Sequence, residues 1–270
     1  MHNPLLLKNI DLYAPEHVGL TDLLILGGTI AAVERGLDVK IPGLETIDAE
    51  GLVAAPGIVD HHNHFGGAGG EGAFNFRTPP AQLSTFVKAG ITTAVGLLGT
   101  DGFSRSLTEL LAKARALDIE GLSTWMYTGS YQLPGPTITG KVGHDIAWID
   151  KVIGCKIALS DHRSSHPAVE TIRALVSEAR VAGMLSGKAG VVCVHMGSEA
   201  SGLEPLREAV SGTGVPLSQL HLKKNLLLCC ITRGDNILIP RGGDQIQVGD
   251  NVIVVTLEHG LHDLRDIVEE

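Results

Sequence analysis

Aromatic side chains make up only 4% of the 270 residues and charged ones only 19%. The low charge content beside 44% hydrophobic residues excludes intrinsic disorder and a charge-laced coiled coil. No Lys/Arg-rich run occurs and the formal net charge is −9, so the sequence predicts no nucleic-acid partner. Apolar runs are short: Leu226 to Ile231 is among the longest, against the roughly 20 residues a membrane span needs. The first residues carry Asn3, Pro4 and Asp11 where a signal peptide would have a basic stretch leading into an apolar one. Neither membrane insertion nor secretion is therefore expected. The four cysteines, Cys155, Cys193, Cys229 and Cys230, show no CxxC spacing and sit in apolar runs. They read as small core residues of a cytoplasmic protein. What is plentiful is glycine, at 34 residues, and histidine, at 12.

Three textures follow one another along the chain. Residues 1–52 alternate short apolar runs (Leu5–Leu7, Leu23–Leu26, Ile30–Val33) with turn signals such as Gly27-Gly28, which predicts a small domain of β-strands. Residues 53–213 alternate apolar strands with helix-length segments. The strands are Val53–Val59, Thr93–Leu98, Ser123–Tyr127, Ile153–Leu159 and Gly190–His195. The helices are Pro79–Ala89, Arg105–Leu117, Gly140–Asp150, Ala168–Ala182 and Leu203–Val210. Unalternating strands interleaved with helices mean a parallel sheet covered on both faces, here five β/α units. Residues 214–270 revert to short strands (Leu226–Ile231, Ile237–Pro240, Ile246–Val248, Val252–Thr256) and close on a helical stretch, His259–Ile267. The fold class is thus α/β with a small α+β module at the end.

The sharpest chemical signal is Asp60-His61-His62-Asn63-His64 at the end of the first strand of the β/α repeat. Alternation places His62 and His64 on one face, where two imidazoles can hold a divalent metal. Active sites of parallel barrels gather at that end of the strands. Lys156 lies inside the apolar run Ile153–Leu159, where a free ammonium is costly to bury. A lysine kept neutral there can take up carbon dioxide and become an anionic oxygen ligand between two metals. His195 ends the strand Gly190–Val194 and is a third strand-end ligand by position. Two other motifs carry no such weight. Gly66–Gly72 lacks the Lys-Ser/Thr of a phosphate loop, and Arg233-Gly234-Asp235 reads as a hairpin turn.

With these residues in place, the chain from about residue 5 to 220 resembles the amidohydrolase superfamily, and within it the β-aspartyl (isoaspartyl) dipeptidases. The resemblance rests on Pro56-Gly57-Ile58-Val59-Asp60-His61-His62-Asn63-His64, on the glycine run ending in Glu71, and on Val95–Asp101. Thr128-Gly129-Ser130-Tyr131, Val152–Lys156, Ser160-Asp161-His162-Arg163-Ser164 and His195-Met196-Gly197 extend it. It implies a TIM-type barrel, cytoplasmic homo-oligomers, two zinc ions, a carboxylated lysine and hydrolysis of β-linked aspartyl dipeptides. It further implies that His62 and His64 hold one zinc, that carboxylated Lys156 bridges, and that His195 holds the other. Glu71 would take the substrate's α-ammonium, Arg163 a carboxylate and Thr100 a hydrogen bond, while Tyr131 would polarise the scissile carbonyl.

The family pattern then departs. An eight-stranded barrel needs typically about 250 residues, and here the repeat stops near residue 213 after five units. The resemblance implies a sixth-strand histidine in a Pro-Thr-His-type segment, where this chain reads His221-Leu222-Lys223-Lys224-Asn225. His221 falls too early for that role, and the eighth-strand aspartate has no counterpart. One zinc is therefore expected to be retained more readily than two, and activity to be impaired. From about Gly214 to Glu270 the chain resembles the RCK-C (TrkA-C) module of potassium-transport proteins. The match runs through Pro216–Leu220, Lys224–Leu228, Ile231–Gly234, Ile239–Gly243, Asp244–Val255 and Leu261–Val268. That resemblance implies an alternative, a ligand-sensing regulatory subunit without enzymatic activity that associates peripherally with a potassium transporter.

Overall fold

In the computed structural model the described residues are 3–210, together with the backbone of three strands at 227–233, 236–238 and 251–255. Two compact units emerge: Met1–Val59 with Lys88–Thr92, and Asp60–Val87 with Thr93–Glu270.

The first unit is a β-sheet of five strands. They are β1 (Leu5–Tyr13), β2 (His17–Leu26), β3 (Thr29–Glu34), β4 (Glu45–Asp48) and β5 (Val53–Ala54). Strands β3-β2-β1-β4 lie side by side, and β5 pairs with β1 beyond β4. Ile10, Leu12, Leu23 and Ala49 form its core. Strand β1 carries a register shift between Leu7 and Ile10, where Asn9 adopts φ 59°. That left-handed residue is held by Asp22, whose carboxylate accepts the Asn9 N–H at 2.9 Å and the Leu37 N–H at 2.8 Å. Asp22 is 3% exposed. Burial pushes its carboxyl up, but the hydrogen bonds from Asn9 and Leu37 and the charge of Lys8 outweigh it and hold the group below its ordinary value. A carboxyl with a lower pKa folded than unfolded stabilises above the unfolded value of 3.8, and that contribution is lost as pH falls from there through the lower folded value. Asp22→Ala is expected to cost about 2–3 kcal/mol at neutral pH, because two backbone donors lose a charged acceptor. Urea denaturation checks this, with the difference from the parent chain shrinking toward acid.

The second unit is built on a five-stranded sheet, the parallel-strand half-barrel. Its strands are β6 (Ile58–Asn63), β9 (Ile91–Gly96), β10 (Ser123–Gly129), β11 (Val152–Leu159) and β12 (Val191–Met196). Their order is β12-β11-β10-β9-β6. A short hairpin, β7 (Ala68–Gly69) with β8 (Arg77–Thr78), and helix α1 (Leu83–Lys88) fall between β6 and β9 in the chain. Helices α2 (Leu107–Glu120), α3 (Val142–Trp148), α4 (Val169–Ser186) and α5 (Glu204–Val210) complete the repeat. Helix α2 begins where Ser106 accepts the Glu109 N–H at 3.1 Å, and it buries Leu107, Leu110, Ala114 and Leu117 at helical spacing. Strand β11 is buried along almost its whole length, as its unalternating sequence predicts. Cys155, Ile157 and Leu159 on it pack against Ile172, Leu175 and Val176 of α4.

One strand differs from the sequence reading. The run Val53–Val59 is not continuous: Val53–Ala54 pairs with β1, and the sheet strand starts afresh at Ile58. Pro56, which has no N–H for a ladder, separates the two pieces. The barrel strand therefore runs four residues further than expected and carries His61 and His62 within it. Helix α1 is likewise shorter than Pro79–Ala89, since the paired prolines Pro79 and Pro80 leave its first turn at Leu83.

In the tail, β13 (Leu227–Arg233), β14 (Asn236–Leu238) and β15 (Asn251–Val255) form an antiparallel sheet in the order β14-β13-β15. Arg233 is the register partner of Asn236, and the expected turn at Gly234-Asp235 lies outside the described residues. The expected strand Ile246–Val248, the helix His259–Ile267 and His221 lie outside the described residues. Among the described residues no helix is long and apolar enough to cross a membrane.

Candidate functional site

Each expected site residue belongs to the second unit, and all but Glu71 sit in or just after a parallel strand. His62 is in the last turn of pleat of β6 and His64 follows it, with ring centroids 5.6 Å apart in an edge-on arrangement. The Nδ1 of His64 lies 3.0 Å from the Leu97 carbonyl, which fixes that nitrogen as the donor and frees Nε2. Gly99 makes room for this ring, because a Cβ there would stand 2.9 Å from His64 Cε1.

Lys156, in the middle of β11, has no exposed surface. Its register partner on β12 is Cys193, and its Nζ is 3.9 Å from the Cys193 Sγ. The same sulfur is 4.0 Å from His62 Nδ1. His195, two residues along β12 from Cys193, stacks on Tyr131 with ring centroids 4.6 Å apart. Tyr131 also lies under Lys156 Nζ (5.7 Å) and the Arg163 guanidinium (5.3 Å). Burial raises the Tyr131 pKa, and Thr100 is close enough to its hydroxyl to oppose that shift. Arg163 reaches Glu71 at 3.4 Å, and His162 reaches the same carboxylate oxygen at 3.1 Å. The eight expected residues thus form one chain of contacts.

The electrostatics favour neutral donors. Burial, followed by the charges of Lys156 and neighbouring histidines, pushes His62 down to about 3. Burial also lowers His64, His195 and Lys156. Neutral imidazole and neutral amine are the forms that ligate metal and react with carbon dioxide, respectively. Among the described residues no group of three or more His, Cys, Asp and Glu side chains is arranged to hold a metal ion. The family resemblance would make Lys156 the third donor beside His62 and His64, and burial lowers its pKa in the direction that role requires.

Sequence reasoning gave no role to Asp161 or Cys193. Asp161 accepts hydrogen bonds from Arg163 and His195, and Cys193 stands between Lys156 and His62. Strand alternation could have found Cys193, which shares a face with His195. Asp161 follows β11 in a loop where Ser160 has φ 51°, so no periodicity marks its direction.

Comparison with known proteins gives a consistent picture. Residues 213–269 match the TrkA-C domain family. A dihydroorotase from Elusimicrobium minutum (strain Pei191) is 37% identical over 98 residues, which is 36% of this chain and 22% of that protein. A β-aspartyl dipeptidase from Fervidobacterium islandicum AW-1 has a crystal structure with 43% identity and a TM-score of 0.75, covering 82% of this chain and 62% of that one. A second structure of it, in complex with β-Asp-Leu dipeptide, gives 44% identity and a TM-score of 0.76 over 81% and 58%. The chain spans less than two thirds of these solved relatives and about a fifth of the curated one. Over most of its length it is thus similar to β-aspartyl dipeptidase, over about a third of it to a dihydroorotase, and at its end it carries a TrkA-C domain.

Proposed function

We propose that the chain is a zinc-binding β-aspartyl dipeptide site of the hydrolase type, with slow turnover. One observation carries this reading: Glu71, Arg163, Tyr131 and Thr100 converge beside the buried Lys156 and the histidine donors. His62, His64 and carboxylated Lys156 would hold one zinc, and Lys156 with His195 a second. Zinc supplies Lewis acidity toward the scissile carbonyl when bound. Around it the chain's own groups divide the work. The Glu71 carboxylate takes the dipeptide's α-ammonium, and Arg163 takes a carboxylate through the guanidinium edge that faces Glu71. The Tyr131 hydroxyl donates to the carbonyl oxygen, and Thr100 adds a hydrogen bond to the substrate. Burial holds that phenol above its ordinary value, so it stays protonated as a donor. The protein would work in the cytoplasm as a homo-oligomer.

Calorimetric titration of the zinc-loaded chain with β-Asp-Leu tests the binding half. Arg163→Met is expected to weaken binding about 10- to 100-fold, since a hydrogen-bonded charge pair contributes about 1.5–3 kcal/mol. Glu71→Gln is expected to weaken it less, because its partners are exposed. Equal affinity in all three chains would sink the assignment.

The TrkA-C match at residues 213–269 favours a second reading, a ligand-sensing subunit associated with a potassium transporter. That reading requires no metal at His62 and His64. A chain that self-associates in sedimentation but takes up no zinc would support it against the first.

A further inference from the structure

One buried side chain bonds two of the site residues, yet the dipeptide reading gives it no part. Asp161 stands just past the end of β11 and is 3% exposed. Its Oδ1 accepts from the Arg163 Nε and backbone N–H, each at 2.8 Å, and its Oδ2 accepts from an Arg163 terminal nitrogen at 2.7 Å. This is the parallel, two-point geometry that fixes a guanidinium plane. The same Oδ2 lies 2.9 Å from His195 Nε2.

We infer that Asp161 is a positioning residue that sets both halves of the site with one carboxylate: it selects the nitrogen His195 presents and aims the guanidinium of Arg163. The inference rests on the dipeptide reading for what those two residues then bind.

The tautomer follows from the donors. A carboxylate only accepts, so His195 must carry its proton on Nε2 to bond Oδ2. The nearest Arg163 nitrogen is 3.5 Å from Nε2, and its hydrogens are directed at Asp161 at the shorter 2.7 Å. It therefore does not compete for a lone pair on Nε2. The nitrogen left with a free lone pair is Nδ1, and a metal-binding histidine generally has its other ring nitrogen tied down in this way. Stacking of the ring on Tyr131 at 4.6 Å opposes rotation away from this orientation. For Arg163, two of the three nitrogens are engaged by Asp161, and the third, at 3.4 Å from Glu71, is the one left to meet a ligand.

The backbone is shaped to let β12 approach this carboxylate. Gly197 follows His195 by two residues, and a Cβ on it would lie 2.3 Å from the Ser160 carbonyl and 2.4 Å from the Asp161 Cα. Any larger residue would push the strand end away from Asp161. The Gly197 N–H to Leu159 carbonyl bond, at 3.0 Å, closes the same junction.

The test reads the histidine directly. The full chain is labelled with nitrogen-15 histidine, and two-bond proton–nitrogen correlation spectra are recorded, with His195→Gln to assign the signal. The expected result is the Nε2–H tautomer of His195 in the parent chain and in Arg163→Met. Asp161→Asn is expected to populate the Nδ1–H form and to weaken β-Asp-Leu binding about 10- to 100-fold, the usual cost of losing such an outer partner. A purely structural aspartate would lower the melting temperature and leave the tautomer of the folded protein unchanged. If Asp161→Asn does not fold, the parent and Arg163→Met spectra still decide. An Nδ1–H or doubly protonated His195 in the parent overturns the inference. So does a folded Asp161→Asn with the parent's tautomer and affinity. A chain that binds neither zinc nor β-Asp-Leu overturns the functional reading instead, while the His195 spectra continue to judge Asp161.

Discussion

Zinc titrated into the metal-free chain is expected to fill about one equivalent tightly, with any second equivalent weak. On the proposed assignment the first site would have three protein donors, His62, His64 and Lys156, the number that catalytic zinc centres normally use. The second has only Lys156 and His195. Two residues of the first site already stand together, the rings 5.6 Å apart with His64 oriented by the Leu97 carbonyl, while Lys156 is fully buried beside Cys193. Losing an outer partner of a metal ligand typically costs 10- to 100-fold in affinity, so His62→Ala or His64→Ala should cost at least about 10²-fold. Lys156→Ala should be as severe, and depleting carbon dioxide should weaken binding in the parent chain but not in that variant. Metal analysis after dialysis, on the parent and the three variants, checks each outcome. Two tight equivalents that survive His62→Ala and His64→Ala would refute the assignment.

How much of this was legible in the sequence differs by element. The sheet was legible because its strands are buried on both faces and so lose all alternation, and β11, from Val152 to Leu159, shows this most plainly. Its helices were legible as helix-length segments between the strands, while the caps of α2, Ser106 before it and Gly121 at φ 106° behind, are seen only in the structure. The break at Pro56 was not taken into account, because an apolar run reads as continuous until the missing ladder N–H is considered. In the site, His62 and His64 were marked by their own spacing, and Lys156 by being a charge in an apolar strand. Glu71, Thr100, Tyr131 and Arg163 carry no local signal, since loops after strands follow no period, and only the family resemblance pointed to them. Asp161 went unassigned for a related reason: its partners, Arg163 two residues away and His195 on the next strand, are a product of the β11–β12 register.

Hydrolysis of β-Asp-Leu by the zinc-loaded chain is expected to run little above background, even though binding persists. Binding and turnover draw on different residues. On the proposed reading Glu71, Arg163, Tyr131 and Thr100, which meet at the site, would hold the dipeptide. Acceleration needs more than this, because only contacts that strengthen in the transition state lower the barrier. The peptide nitrogen must be protonated as it leaves, and the attacking water must lose a proton, so one group has to receive and return it. The nearest carboxylate to His195 is Asp161, and it is already engaged by Arg163, which holds its carboxyl well below the usual range. A base of that strength accepts a proton poorly at neutral pH. Glu71 faces His162 and Arg163 on the exposed rim and is committed to the substrate's ammonium. Without a positioned general base, a loss of about 10²–10⁴ in rate is expected. Incubating the zinc-loaded chain with β-Asp-Leu and following free leucine gives the answer. Slow release that is abolished by Lys156→Ala fits this account. Turnover matching that of a full-length β-aspartyl dipeptidase would mean that the chain supplies a base from residues outside those described, and the expectation of impairment would fall.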